Sequence, residues 1–230
     1  MTYTFQTDID KDEYMAFVHT LDHYNITQTP MWAQVKTGWT HTLCALYEDG
    51  TIVAAAMLLV RKLAPGMKII YSPRGFLLDY QNEEYLREFT AGVYAYAKKQ
   101  KAYLVRIDPE IVLSTSCKGN TTENPEGKAA LAALQAQGYL HMGFARDFHS
   151  YTQPRFNAEY PLTDANNPVS DDVILAGFDK KLKKFIGRYT EERGIYFEAK
   201  TGPAYATEFS AISEHTEQRQ HILLRDLQYF

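Results

Sequence analysis

From Leu43 to Val60 the chain is almost unbrokenly apolar, cut by Glu48-Asp49-Gly50, an Asp-Gly hairpin signal. The pattern predicts two strands, Leu43–Tyr47 and Thr51–Lys62, and a third, Met67–Tyr71, ended by Ser72-Pro73-Arg74-Gly75. The period then lengthens. Tyr85, Phe89, Val93 and Tyr96 recur along one side of a helix expected from Asn82 to Gln100. Ala102–Ile107 reads as a buried strand running into Asp108-Pro109, Ser114–Gly127 as a polar loop, and Lys128–Gln137 as a short helix stopped by Gly138. Tyr139–Phe144 reads as a further strand. Strands interleaved with helices in this order predict an α/β (α+β) layer with a mixed sheet.

The texture changes near His149, which divides the chain into expected domains at 1–148 and 149–230. A strand is expected at Phe156–Leu162, a turn at Asn166-Asn167-Pro168, and a helix from Asp171 to Arg193 stopped by Gly194. A strand at Ile195–Ala199 and a helix from Pro203 to Arg219 follow. Two strands are too little sheet to bury both helices. The chain stops within the aromatic segment Tyr229-Phe230, so a fragment of a longer protein, or a domain that needs a partner, is expected.

Before the first hairpin stands Thr27-Gln28-Thr29-Pro30-Met31-Trp32-Ala33-Gln34-Val35-Lys36-Thr37-Gly38-Trp39. Pro30 suits a first helical turn, and Thr29 can cap it. Trp32, Val35 and Trp39 share the spacing of one helix face, with Lys36 beside it, so an apolar wall could hold an ammonium at a cleft rim, as a phosphate requires. A solvated lysine on an amphipathic helix accounts for the same spacing. Arg106-Ile107-Asp108-Pro109-Glu110 brings charge to a strand end, where α/β layers meet ligands. A carboxylate there can orient an ammonium or accept its proton, or simply cap the next segment. Lys180, Lys181, Lys183, Lys184 and Arg188 place five cations on one helix, facing either a phosphate backbone or water.

Composition narrows the classes. At 230 residues with 45% hydrophobic content the chain is an ordinary globular protein, and a net charge of -4 argues against a coat for nucleic acid. Cys44 and Cys117 lack zinc spacing, His19 and His23 lack a zinc-protease pattern, and no phosphate-loop or nucleophile-elbow motif occurs. No metal site is expected. The run Ile52–Val60 is too short to cross a bilayer, which leaves peripheral membrane contact open, and no signal peptide is visible. The cytoplasm is the expected compartment.

In order and wording these segments resemble the Fem family of non-ribosomal peptidyltransferases (FemABX). The resemblance is carried by Gln28-Thr29 with Trp32-Ala33-Gln34-Val35-Lys36 and Trp39, then the hairpin and Tyr71-Ser72-Pro73-Arg74-Gly75. It continues through Tyr103 and Arg106-Ile107-Asp108-Pro109, Gln153-Pro154-Arg155, the basic helix ending at Gly194, and Leu224-Arg225 with Tyr229-Phe230. The family fold is two acetyltransferase-like (GNAT) domains facing across a groove, so the resemblance implies one such domain followed by an incomplete second.

The resemblance also implies a reaction, the aminolysis of aminoacyl-tRNA by an amine on the stem peptide of a peptidoglycan precursor, for cell-wall bridge synthesis. Lys36 and Arg225 would bind the diphosphate of UDP-MurNAc-pentapeptide or its lipid-linked form. Trp39, Tyr103 and Tyr229 would surround its sugar or peptide. Asp108 would sit by the acceptor amine, and Lys180, Lys181, Lys183, Lys184 and Arg188 would meet the tRNA. No cofactor is implied. The stretch beyond residue 230 would supply a further lysine needed for transfer. The alternatives are an acetyl-CoA-dependent acetyltransferase and a non-catalytic fragment that binds precursor or tRNA. The acetyltransferase would need a glycine-rich loop opening a helix, and the nearest match, Gln135-Ala136-Gln137-Gly138-Tyr139-Leu140, follows a helix instead.

Overall fold

The structure, a computed structural model, describes residues 1–117, 119–144, 162–164, 167–196, 198–222, 224 and 227, and the chain divides into units of residues 1–155 and 156–228. The first unit is built on a sheet of β1 (Tyr3–Thr7), β2 (Thr40–Glu48), β3 (Thr51–Ala64), β4 (Met67–Ser72) and β5 (Ala102–Ile107), in that spatial order. Neighbours pair antiparallel except β4 and β5, which are parallel and joined through the helix α3 (Glu83–Gln100). This is the mixed sheet flanked by helices that the apolar pattern predicts.

The long apolar runs arise because both faces of β2 and β3 are covered. Cys44, Leu46, Ala54, Ala56, Leu58 and Val60 face α3, meeting Phe89, Val93 and Tyr96. Leu43, Ala45, Tyr47, Ala55, Met57 and Leu59 face the other way, toward Tyr14 and Val18 of α1 (Lys11–Val18) and Ala33 of α2 (Pro30–Val35). Asn82 caps α3 by accepting from the backbone N–H groups of Glu84 and Tyr85. At Gly92 the helix lies so close to β1 that any Cβ would collide with the Phe5 ring, which packs edge-on against Phe89 at 5.4 Å. The Asp49-Gly50 turn has both residues at positive φ, as a type I′ hairpin requires.

Several expectations are corrected. The segment taken as polar loop from Ser114 contains an antiparallel hairpin, β6 (Ser114–Cys117) with β7 (Asn120–Glu123), and α4 begins at Pro125 and ends at Ala136. Its strands are exposed and rich in Ser and Thr, so backbone pairing forms them without an apolar alternation to show it. Tyr139–Phe144 is irregular: the Tyr139 ring meets Phe76 at 6.3 Å while Leu140 and Met142 face solvent. The Trp helix is shorter than its spacing implies. It ends at Val35, Gly38 turns the chain at φ 77, and Trp39 lies beyond it. The Thr29 hydroxyl donates to Ile26 O instead of capping α2. β1 and α1 carry no expectation at all.

Among its described residues the second unit holds a two-residue pairing, β8 (Thr163–Asp164) with β9 (Asn167–Pro168), and the helices α5 (Asp171–Gly177), α6 (Lys180–Gly187) and α7 (Pro203–Gln220). The single helix expected from Asp171 to Arg193 is broken at Phe178, because Asp179 starts a new helix by accepting from Leu182 N at 2.8 Å. A π-helical turn, Arg188–Glu192, follows α6. Ile195, Tyr196, Glu198 and Ala199, part of an expected strand, pair with no described strand. The strand expected at Phe156–Leu162 lies, but for Leu162, outside the described residues.

Candidate functional site

Two of the segments singled out in the sequence meet under the sheet. Gln28 is fully buried; its side-chain amide donates to Ser72 Oγ at 3.1 Å and to the Pro73 carbonyl, and its Oε1 accepts from Met57 N at 2.9 Å. Its own carbonyl accepts from Tyr14 Oη at 2.8 Å, and Thr27 Oγ1 also donates to Pro73 O. A Cβ at Gly75 would lie 2.6 Å from Ser72 Oγ and 2.7 Å from Gln28 Cδ, so the turn closes only around a glycine. Burial pushes the Tyr80 phenol well above its ordinary value, and the protonated hydroxyl both accepts from Phe76 N and donates to Phe76 O. The loop after β4 is therefore held from both sides.

That loop positions Asp108. The parallel register sets Tyr71 beside Arg106 and Ser72 beside Ile107, which brings Asp108 just past the C-terminal ends of β4 and β5. Its Oδ2 accepts from Tyr71 Oη at 2.7 Å and its Oδ1 from Arg74 N at 2.7 Å. Arg74, in the left-handed region at φ 55, pairs with Glu110 at 3.4 Å, and Glu110 also accepts from Asn25 Nδ2.

The wall beside it is aromatic and cationic. Trp39 meets Tyr71 at 6.3 Å between ring centroids, so Trp39 and Asp108 are joined through one side chain. Each of three rings carries a cation: Lys36 Nζ lies 4.8 Å from the Trp32 ring, Arg61 5.6 Å from Trp39, and Arg106 5.8 Å from Tyr71. Lys36 caps α2 and is tied to Trp39 by the Trp39 N to Lys36 O bond of 3.2 Å. The indole Nε1 of Trp32 is buried with no hydrogen-bond partner among the described residues. Cations over flat rings, next to a fixed carboxylate, suit a ligand with a phosphate, a sugar and an amine.

The family model for the FemAB family matches residues 9–230. The chain belongs to the FemAB family. Lipid II:glycine glycyltransferase of Staphylococcus aureus strain MRSA252 is 31% identical over 226 residues, 96% of this chain and 49% of that protein. The same enzyme from strain USA300 matches equally. A crystal structure of FemX superposes with a TM-score of 0.78 at 29% identity, covering all of this chain and 53% of that one. The chain thus spans about half the length of the curated relatives it matches.

Of the residues expected at the FemAB-family site, Trp39 and Asp108 are brought together, with Lys36 a short turn from Trp39. Tyr103 is elsewhere, 80% exposed near the N-terminal end of β5, whereas Asp108 follows its C-terminal end. Arg225 and Tyr229 lie outside the described residues, as does Gln153-Pro154-Arg155. The basic residues belong to the second unit: Lys180, Lys181, Lys183 and Lys184 are exposed on α6. There Lys183 donates to Ala176 O and Arg188 pairs with Glu192 at 2.9 Å. Gln28, Tyr71 and Arg74 stand in segments that carry the resemblance, but nothing in spacing marks them as the supports of Asp108. Gln135-Ala136-Gln137-Gly138 closes α4 and opens no helix, so it offers no pyrophosphate cradle.

Proposed function

We propose that this chain is part of an aminoacyltransferase that moves an amino acid from aminoacyl-tRNA onto the stem peptide of a peptidoglycan precursor, for cross-bridge synthesis in the cell wall. The observation that carries this reading is the match to lipid II:glycine glycyltransferase across 226 residues. The geometry at Asp108 supports it. The acceptor amine is an ammonium near neutral pH and must lose a proton before or while it attacks the ester carbonyl of the charged tRNA. In this reading Asp108, fixed by Tyr71 and the Arg74 backbone, orients that ammonium and draws the proton away. Lys36 binds the precursor diphosphate and Trp39 lies against its sugar or peptide. Arg225 is a second candidate for the diphosphate, Tyr229 for the sugar or peptide, and the cations of α6 for the tRNA. The second unit is the beginning of a further GNAT-like domain.

The test is calorimetric titration of the chain with UDP-MurNAc-pentapeptide and, in micelles, with the lipid-linked precursor, acetyl-CoA being run in parallel. A precursor binds, acetyl-CoA does not, and Lys36→Met weakens the precursor by about 2–5 kcal/mol, the cost of leaving a desolvated charge unpaired. Asp108→Asn keeps the side chain's size but removes its charge and one acceptor, and lowers transfer from charged tRNA at least about a hundredfold. Equal precursor affinity of Lys36→Met and wild type removes the diphosphate assignment, and binding of acetyl-CoA alone removes the reading.

A further inference from the structure

At the opposite end of β4 and β5 from Asp108, Lys62, Lys68, Lys99 and Lys101 line a shallow cavity of about 250 Å³ with Gly66 and Gln100. Lys98 and Lys99 suit the C-terminus of α3, whose exposed carbonyls favour cations. That argument does not reach the hairpin, where Lys62 and Lys68 stand directly opposite each other across β3 and β4. Like charges in that register destabilise a ladder. Lys68 finds only the neutral Gln100 Oε1 at 3.0 Å, and among the described residues no carboxylate pairs with any of the four. No Asp or Glu occurs between Asp49 and Asp79 or between Glu88 and Asp108. In a chain of net charge -4 this end is purely cationic.

The tip of the same hairpin is apolar. Leu63 is 53% and Met67 41% exposed on either side of the Pro65-Gly66 turn, and Tyr103 and Leu104 stand exposed on the adjoining edge strand. Apolar side chains projecting beyond a ring of lysines, with an exposed tyrosine beside them, match a bilayer interface. The acyl boundary takes the tip, the phosphates take the lysines, and the phenol sits at headgroup depth. A nucleic-acid backbone would use the lysines and leave Leu63 and Met67 in water.

We propose that the β3–β4 hairpin and the end of α3 form a docking surface for a membrane bearing anionic phospholipids. The strand pair is about 20 Å long, so docking at one end leaves the Asp108 end open. The inference deepens the lipid-linked branch of the reading above and rests on it for its purpose.

The test is co-sedimentation of the chain with phosphatidylcholine vesicles with and without phosphatidylglycerol, at low and high salt. The chain partitions onto the anionic vesicles only, and salt releases it. Each basic residue near such a surface contributes about a fivefold change, so Lys62→Glu with Lys99→Glu lowers partitioning at least about tenfold. Leu63→Ser with Met67→Ser lowers it several-fold at unchanged charge. Both double variants retain wild-type circular dichroism and precursor affinity, which separates this inference from the transfer reading. Equal binding to neutral vesicles, no binding to anionic ones, or undiminished binding of the charge-reversed variant, as α6 would give, overturns the proposal. So does retardation of polyuridylate RNA through the same lysines with no vesicle binding.

Discussion

Phe89 in the first unit is fully buried between Phe5 and Phe76, while Phe209 on α7 of the second is half exposed. The contrast holds throughout. The first unit covers both faces of its sheet, whereas among the described residues of the second only Ser213 is buried. Leu182, Phe185, Ile186 and Tyr189 keep helical spacing around α6 and all stay exposed. Periodicity thus says that a face is made to be covered, and only packing says whether it is. Among the described residues, the helices of the second unit bury little side-chain surface.

Unfolding in urea should break or sharpen this contrast. Phe89→Ala is expected to cost about 3–5 kcal/mol through lost burial and the cavity left behind. Phe209→Ala should cost under about 1 kcal/mol, and a comparable loss at both would mean that α7 is covered after all. Next in size, Gln28→Ala strands the Met57 N–H and leaves the Pro73 carbonyl with only the Thr27 hydroxyl, for about 1–3 kcal/mol. The loop from Ser72 to Gly75 should lose amide-exchange protection in the same variant.

Caps give a smaller pair. Asn82→Ala should cost about 1 kcal/mol, because the side chain accepts two backbone bonds. Ser170→Ala, at a position that makes no side-chain cap, should cost less than about 0.5 kcal/mol. Smallest is a pH effect confined to the first unit. Burial, then the hydrogen bond to Glu13, raises the Tyr47 phenol from about 10 to about 12. The native state therefore holds that proton more tightly, so its contribution is complete below about pH 10 and is lost as pH rises toward 12. Tyr47→Phe should flatten the alkaline fall in stability over that window; an unchanged slope would show that the bond contributes nothing.

The sheet was legible because β2, β3, β4 and β5 are apolar on both faces or ended by turn residues with fixed chemistry, Asp49-Gly50 and Ser72-Pro73 among them. Elements held mainly by backbone pairing were not: β6 and β7 carry Ser and Thr at exposed positions and show no alternation. The break in the second unit's long helix was hidden because Asp179 reads equally as a surface residue or a cap. At the site Lys36, Trp39 and Asp108 stood out by residue type and neighbourhood. Their supports, Gln28 and Tyr71, act through contacts between segments far apart in the chain, which no local pattern carries.

The close fit of Phe5 against Gly92 has a consequence for synthesis. β1 leaves the ribosome about eighty residues ahead of the helix that covers it. Until α3 emerges, the Phe5 ring has no seat and one face of the growing sheet stays wet, so this part of the core closes only through a contact between segments far apart in the chain. A cell that translates Glu83–Gln100 slowly prolongs the interval in which that face is available to other chains.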